Sequence, residues 1–319
     1  MDPARTLPPH LAEAARAFAT GERTPVEPRL ASTVVLLRSG DGDPGGLEAY
    51  LLHRHLGMEF AADMYVFPGG GVDPRDAGLD PALWAGPSVA SWAERLGCPE
   101  EQAIELVCAA VRETFEESGV LLAGTASRVV DDTTGPEWEA DRAALESREL
   151  SLTDLLTRRG LVLRTDLLAA LSCWVTPTFE SRRYRTWFFV AALPDGQTTR
   201  DVSTESDRVA WLTIRDALAA VANGEILMLP PTSATLAELF AAPTPAEALA
   251  IADATPWEVI EPTFDLETGR LVIPDRFAEL GRQVLADLAV RHTDRDLLPT
   301  ERMTQGSAGT QDGAGGGNA

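Results

Sequence analysis

"RETFEESG", residues 112–119, ends a helical pattern and decides how this chain is interpreted. The helix is predicted to begin at Pro99, since proline suits the first helical position and Glu100 and Glu101 follow where the helix dipole favours negative charge. Gly119 can adopt the left-handed conformation that closes a helix. An apolar stripe at helical spacing is formed by Ile104, Val107, Cys108, Val111 and Phe115. The sequence therefore predicts a helix over 99–118 with this stripe against the core.

Three glutamates gather on the side of this helix that lies opposite the apolar stripe. At about 100° per residue, Glu113, Glu116 and Glu117 point the same way, and we expect them on the water-facing side. Like charges at these spacings oppose a helix by roughly 0.2–0.5 kcal/mol per pair, and only Arg112 offsets them. An acidic surface helix in an acidic protein is one interpretation. The other is a site for Mg²⁺ or Mn²⁺, which prefer hard oxygen ligands.

The composition excludes several classes of function. The chain has 319 residues and a formal net charge of -22, so nucleic acid and anionic membranes are not expected as partners. All 27 Lys and Arg positions are arginine, which excludes Schiff-base lysine chemistry and the P-loop lysine signature. Cys98, Cys108 and Cys173 lack the spacing of a zinc site or a disulfide framework. No apolar run is long enough for a membrane span, and we expect a cytoplasmic protein.

The alternation of apolar and polar segments predicts an α/β fold. Strands are predicted at 32–39, 48–55, 64–67, 167–175, 185–193 and 207–213, and a hairpin at 257–274. Helices are predicted at 10–21, 214–223 and 275–290, and within the charged stretch 125–166. The predicted organisation is an N-terminal helix and linker at 1–30, a mixed α/β domain at 31–241, a C-terminal extension packing on it at 242–300, and a disordered tail at 301–319.

Residues 112–120 closely resemble the second half of the Nudix box, written R-E-U-x-E-E-x-G-U with U an aliphatic residue. Thr114 stands where an aliphatic residue is usual. "FPGG", residues 67–70, resembles the lead-in to the first half of the box and places the box acid at Asp76. The defined positions of the second half are occupied by Arg112, Glu113, Glu116, Glu117, Gly119 and Val120.

The two halves of this box are far apart in the sequence. Some 35 residues separate Asp76 from Arg112, where the usual box has seven, and we expect an insertion at about 77–104. An interruption of this kind resembles the peroxisomal coenzyme A diphosphatases. The stretch 50–73 also partly resembles their coenzyme A recognition motif, although Arg54 comes one residue early and Asp63 stands where glycine is expected.

The resemblance implies a fold and a chemistry. The fold is a Nudix-type α/β/α sandwich with a central mixed sheet, a helical insertion and a C-terminal extension. The activity is hydrolysis of a nucleoside diphosphate linked to another moiety, in which Mg²⁺ or Mn²⁺ neutralises the diphosphate and activates water. The implied metal ligands are the carboxylates of Glu113, Glu116 and Glu117 and the carbonyl of Gly70.

The resemblance also suggests roles for other residues. Arg112 is expected to orient the carboxylates, and Glu113 to take part in catalysis. The candidates for the general base are Glu205, on the loop before the strand at 207–213, and Glu180; we favour Glu205. Glycine in the "FPGG" loop lets the backbone approach metal and phosphates closely. Predicted substrate contacts are Arg54, Gly69, Gly70, Arg182, Arg183 and Arg185.

The expected substrate is coenzyme A or one of its acyl thioesters. NADH, nucleotide sugars and dinucleotide polyphosphates are the alternatives within the same enzyme class. A non-catalytic Nudix module that binds a nucleotide to regulate a partner is the alternative outside it. The extension at 242–292 is a candidate dimerisation element, so a homodimer is also considered.

Overall fold

The computed structural model describes residues 9–40, 46–55, 57 and 61–292. In that part of the chain no helix is long and apolar enough to cross a membrane. The predicted tail at 301–319 lies outside the described residues. The helices are α1 (Pro9–Ala19), α2 (Val89–Leu96), α3 (Glu100–Ser118), α4 (Pro136–Glu146), α5 (Leu152–Arg159), α6 (Ile214–Asn223), α7 (Pro230–Leu239), α8 (Pro245–Ala254) and α9 (Asp275–His292).

The centre of the molecule is a mixed sheet. Its strand order is β10-β2-β1-β9-β8-β11, with β3 added to β2 and β4 added to β1. The pairs β1–β9 and β8–β11 are parallel and the others antiparallel. The strands are β1 (Arg29–Ser39), β2 (Leu47–Arg54), β3 (Tyr65–Val66), β4 (Gly69–Gly71), β5 (Trp84–Ala85), β6 (Ala123–Gly124), β7 (Val162–Arg164), β8 (Leu168–Val175), β9 (Tyr184–Ala192), β10 (Ser206–Thr213), β11 (Val259–Ile260), β12 (Thr263–Asp265) and β13 (Arg270–Val272).

Helices cover both faces of this sheet, so the α/β/α sandwich is confirmed. Side chains alternate across β1, where Val34 and Leu36 face the layer that contains α2 to α5. Val35 and Leu37 face the layer that contains α6 to α9. All four side chains are fully buried, which explains why β1 is a continuous apolar run rather than an alternating one.

The segment between the two halves of the predicted Nudix box is an integral part of the first layer. It contains β5 and α2, and β5 joins β6 and β7 in a small separate sheet. Trp92 of α2 packs in the core, and the indole of Trp187 donates to the carbonyl of Leu96 at 3.1 Å. The insertion therefore supports the sheet beneath α3, because its own apolar side chains are buried there.

The C-terminal extension completes the central sheet. Val259–Ile260 pairs in parallel with β8, whereas the hairpin is confined to β12 and β13. The prediction of one hairpin over 257–274 was therefore wrong for its first residues, which join a strand distant in sequence. Arg95 of α2 connects the extension to the sheet. It donates to the carbonyls of Ala252 and Thr255 in the extension and to that of Ala170 in β8.

Candidate active site

The residues of the interrupted box meet through one buried ion pair. Arg112 donates from Nε to Oδ1 of Asp76 at 2.8 Å and from Nη2 to Oδ2 at 2.7 Å. Its Nη2 also donates to the carbonyl of Gly71 at 3.0 Å. Asp76 is 1% exposed and also accepts from the backbone N–H of Asp73. The short acid at the box position is thus fully engaged in holding Arg112, which fixes the glycine strand β4 against α3.

The three glutamates of α3 are buried, so the prediction of a water-facing side was wrong. Glu116 is 9% and Glu117 8% exposed, and the Glu113 side chain is 13% exposed. The reason is that segments distant in sequence cover this side of the helix. Gly69 and Gly70 of β4 contact the carboxylates of Glu117 and Glu113, and Arg142 of α4 contacts the Glu116 carbonyl. The loop before β10 contacts the end of the helix at the Ser118 carbonyl.

The glycines of β4 approach the glutamates more closely than any other residue type could. The backbone N–H of Gly69 donates to Oε2 of Glu117 at 2.8 Å. A Cβ atom added to Gly70 would lie 2.4 Å from Oε1 of Glu113, and one added to Gly69 would lie 2.6 Å from the carbonyl of Ser32. Glycine is therefore required at position 69, where the obstacle is backbone, whereas a Cβ atom at position 70 would displace the Glu113 carboxylate.

The negative charge of this cluster is incompletely balanced. Burial raises the pKa of Glu113, and burial together with the Glu113 charge raises the pKa of Glu116 to about 7. Burial, again followed by the charge of Glu113, raises the pKa of Glu117 well above its usual range. Arg112 opposes these shifts at Glu113 and Glu116, to which it donates at 2.7 and 3.4 Å, but it is shared with Asp76. The cluster therefore favours an added positive charge.

Two residues predicted from the sequence lie beside this cluster. Nη2 of Arg54 is 2.9 Å from Oε2 of Glu205. Arg54 lowers the pKa of Glu117, whereas the charge of Glu205 raises the pKa of both Glu113 and Glu117. Nε of Arg54 is buried and has no hydrogen-bond partner within the described residues. An oxyanion that replaced Glu205 could satisfy both nitrogens.

Glu180 lies in a different neighbourhood. It belongs to the connection between β8 and β9, where the adjacent Phe179 packs against α1 and the β12–β13 hairpin. Of the two candidate bases, Glu205 lies close enough to the α3 glutamates for its charge to raise the pKa of Glu113 and Glu117.

The arginines of "SRRYRT", predicted to contact the substrate, differ in their contacts within the protein. Arg183 is buried and donates to the carbonyls of Thr176 and Val26 and to Oε1 of Glu261, so it links the segment before β1 and the C-terminal extension to the end of β8. The guanidinium of Arg185 lies over the ring of Trp187. The Arg185 backbone belongs to β9, which pairs with one edge of β1, whereas β4 pairs with the other edge. Arg182 is exposed. These contacts are structural for Arg183, whereas substrate contacts by Arg182 and Arg185 stay predictions.

One group of contacts near the site was missed from the sequence. Nη1 of Arg142, in α4, donates to the backbone carbonyl of Glu116 at 2.8 Å and to Oε2 of Glu146 at 2.9 Å. Oε1 of Glu146 accepts from the hydroxyl of Thr204 at 2.7 Å. We call Arg142, Glu146 and Thr204 the α4 clamp. The spacing of Arg142 and Glu146, four residues apart on one helix, was a signal that they share a face.

The donor set of the cluster fits a hard divalent cation. The carboxylates of Glu113 and Glu117 lie against β4, and the pKa values of all three glutamates are raised despite the nearby guanidinium groups. Among the described residues, no group of three or more His, Cys, Asp or Glu side chains is already arranged as a complete metal site. Two carboxylates are instead engaged by Arg112 and one by the N–H of Gly69. Cation binding would therefore require these side chains to rotate.

Comparison with known proteins relates the fold to one class of proteins. A family model describing the NUDT19 Nudix domain matches residues 86–239, just under half of the chain. The crystal structure of a Nudix hydrolase from Alicyclobacillus acidocaldarius has a TM-score of 0.57 and 27% identity, covering 72% of this chain and 99% of that one. Together with the box on α3, these findings show that the chain resembles the Nudix hydrolases.

Within this class the chain resembles the coenzyme A diphosphatases. The acyl-coenzyme A diphosphatase NUDT19 of Gallus gallus is 25% identical over 233 residues, covering 59% of this chain and 60% of that protein. A nudix hydrolase 7 of Caenorhabditis elegans is 25% identical over 186 residues, covering 57% of this chain and 52% of that protein. The matches thus span between half and two thirds of the length of these curated relatives.

Proposed function

We propose that the chain is a metal-dependent hydrolase that cleaves the diphosphate bond of coenzyme A or an acyl-coenzyme A. The observation that carries this proposal is the buried, incompletely balanced set of glutamates against Gly69 and Gly70. The resemblance to a protein named as an acyl-coenzyme A diphosphatase supports the substrate. The expected products are 3′,5′-ADP and a 4′-phosphopantetheine compound.

Glu113, Glu116, Glu117 and the carbonyl of Gly70 would hold Mg²⁺ or Mn²⁺. When bound, the cation would neutralise the diphosphate and lower the pKa of a coordinated water. Arg112 would orient the Glu113 and Glu116 carboxylates from its anchor on Asp76, as its present contacts support.

Arg54 and Glu205 would act directly on the reactants. Arg54 would donate from Nε and Nη2 to a phosphate oxygen, which explains a buried nitrogen without a partner. Displaced from Arg54, the Glu205 carboxylate would accept the proton of the attacking water. Both roles require the ion pair between Arg54 and Glu205 to break when substrate enters.

A substrate screen tests this proposal. Coenzyme A, acetyl-coenzyme A, NADH, a nucleotide sugar and a dinucleotide polyphosphate are incubated with the protein at millimolar Mg²⁺ or Mn²⁺, and products are identified by mass. We expect 3′,5′-ADP from coenzyme A, lost with EDTA and in Glu116→Gln. Glu101→Gln, at an exposed position of the same helix, is the matched control and should retain activity.

Each other outcome of the screen has a definite meaning. Cleavage of NADH but not of coenzyme A would reject the substrate and keep the enzyme class. Binding of a nucleotide with no turnover of any compound would favour a regulatory Nudix module instead. Homodimer formation and cytoplasmic location stay predictions, and light scattering after size-exclusion chromatography would test the former.

A further inference from the structure

The α4 clamp connects the metal-ligand helix to the residue before Glu205. Arg142 is 5% exposed and makes its hydrogen bond to the Glu116 carbonyl inside the protein. From there, hydrogen bonds of 2.9 and 2.7 Å lead through Glu146 to the Thr204 hydroxyl. Three hydrogen bonds thus connect α3, through α4, to the loop before β10.

The peptide that carries Glu205 is held on its other side by β2. The backbone N–H of His55 donates to the Glu205 carbonyl at 3.3 Å. The Glu205 backbone N–H donates to the Ser203 hydroxyl at 3.2 Å. The Glu205 main chain therefore lies between a sheet strand and α4, while its carboxylate faces Arg54.

We propose that Arg142, Glu146 and Thr204 are positioning residues that set the distance between the Glu205 carboxylate and the ligands on α3. This inference rests on the proposed function, since it assigns a role relative to catalysis by Glu205. A general base must lie within hydrogen-bond reach of the proton it removes. A misplacement of about 1 Å can cost roughly 100-fold in rate.

A purely structural role for the Thr204 contact would have a small effect. The contact is exposed, and a hydrogen bond of this kind contributes little to stability. Thr204→Val removes the hydroxyl donor at nearly constant shape, whereas Thr204→Ser retains the donor. The two variants therefore separate the hydrogen bond from the packing of the side chain.

The test compares kcat and KM of these variants on the substrate that wild type cleaves best. We expect Thr204→Val to lower kcat by about 10- to 100-fold, as for residues that orient a catalytic group, with KM nearly unchanged. Thr204→Ser should retain wild-type kcat. Thr157→Val, which removes an exposed hydroxyl on α5, is the matched control and should also retain it.

A double-mutant cycle shows whether Thr204 acts through Glu205. In a Glu205→Gln background, Thr204→Val should cause no further loss of kcat, because coupled residues are non-additive. Losses that multiply in the double variant, or a Glu205→Gln variant with wild-type kcat, would overturn the proposal. So would wild-type kcat in Thr204→Val.

Amide hydrogen exchange tests the positional part without turnover. Thr204→Val should speed exchange over residues 200–206 relative to wild type and Thr204→Ser. Unchanged exchange would contradict the proposal even if no substrate were cleaved. Absence of hydrolysis by wild type in the screen would instead count against the proposed function, so the two failures are distinguishable.

Discussion

Asp141 of α4 and the three α3 glutamates are carboxylates removed from solvent that differ in how far nearby arginines balance their charge. Asp141 of α4 is 7% exposed, and its carboxylate accepts from both Arg158 and Arg159. The α3 glutamates are also largely buried, yet Glu113 and Glu116 share Arg112 with a third carboxylate, Asp76, and Glu117 accepts from the backbone N–H of Gly69. Burial of acids is therefore not in itself a mark of function, since Asp141 is satisfied within the protein. The excess of negative charge distinguishes the α3 cluster.

The largest effect is expected from removing the arginine that the α3 cluster shares. Arg112→Met would leave Asp76 buried without its partner, and the free energy of unfolding should fall by about 3–5 kcal/mol. Urea denaturation measures it. Arg112→Met combined with Asp76→Asn should recover much of the loss, because the uncompensated charge is gone. Equal stability of the single and double variants would show that the Asp76 contact does not hold the two halves together.

Neutralising one glutamate should separate activity from stability. Glu117→Gln is expected to lower kcat by about 100-fold or more, because a metal site contributes several kcal/mol and each 1.4 kcal/mol is about tenfold. In the wild-type protein, folding raises the pKa of the Glu117 carboxyl, so the ionised carboxylate opposes folding at neutral pH. The metal-free variant should therefore be at least as stable as wild type by calorimetry. A clear loss of stability would mean that the charge is balanced after all.

The balanced carboxylate should behave in the opposite way. Asp141→Asn would leave two guanidinium groups without their acceptor, and we expect about 2 kcal/mol of destabilisation, limited because Arg158 is half exposed. Its kcat should equal that of wild type at a temperature where both are folded. Kinetic assays and urea denaturation of the same Asp141→Asn preparation measure its kcat and its stability. If Asp141→Asn lowered kcat without lowering stability, Asp141 would not differ in role from the α3 glutamates.

The sequence was sufficient for what depends on local pattern. The bounds of α3 follow from a proline start, a glycine end and an apolar stripe, and the structure ends the helix with Gly119 in the left-handed conformation. The strands β1, β2, β8, β9 and β10 were also predicted within a few residues. The box glutamates were found because their spacing is fixed by one helix. These features need no knowledge of distant contacts.

What depends on contacts between distant segments could not be predicted in this way. Periodicity places the glutamates opposite the apolar stripe but does not reveal that β4, α4 and a loop cover that side. For the same reason Arg183 could not be distinguished from a ligand-binding arginine, since Val26 and Glu261 lie far from it in sequence. Helix α8 was missed, because its alanine-rich sequence has no amphipathic pattern.

The smallest predicted effect concerns two neighbouring glycines of β4. Gly70→Ala would place a Cβ atom 2.4 Å from Oε1 of Glu113, whereas Gly71→Ala would meet only the Leu30 carbonyl at 3.9 Å. The Glu113 carboxylate is the end of a side chain and can move, so Gly70→Ala should fold. The displaced carboxylate should weaken Mn²⁺ binding by about tenfold, measured by titration calorimetry, as expected for a misplaced ligand.

Gly71→Ala is the matched control, because it adds the same methyl group one residue along the same strand without a close contact. It should leave Mn²⁺ affinity unchanged. Since neither glycine has a positive φ, backbone strain does not confound the comparison. Equal affinity in the two variants would mean that Glu113 does not take part in holding the cation. A tenfold difference confined to Gly70→Ala would link the glycine strand to the charge imbalance on α3, the feature that separates this cluster from Asp141.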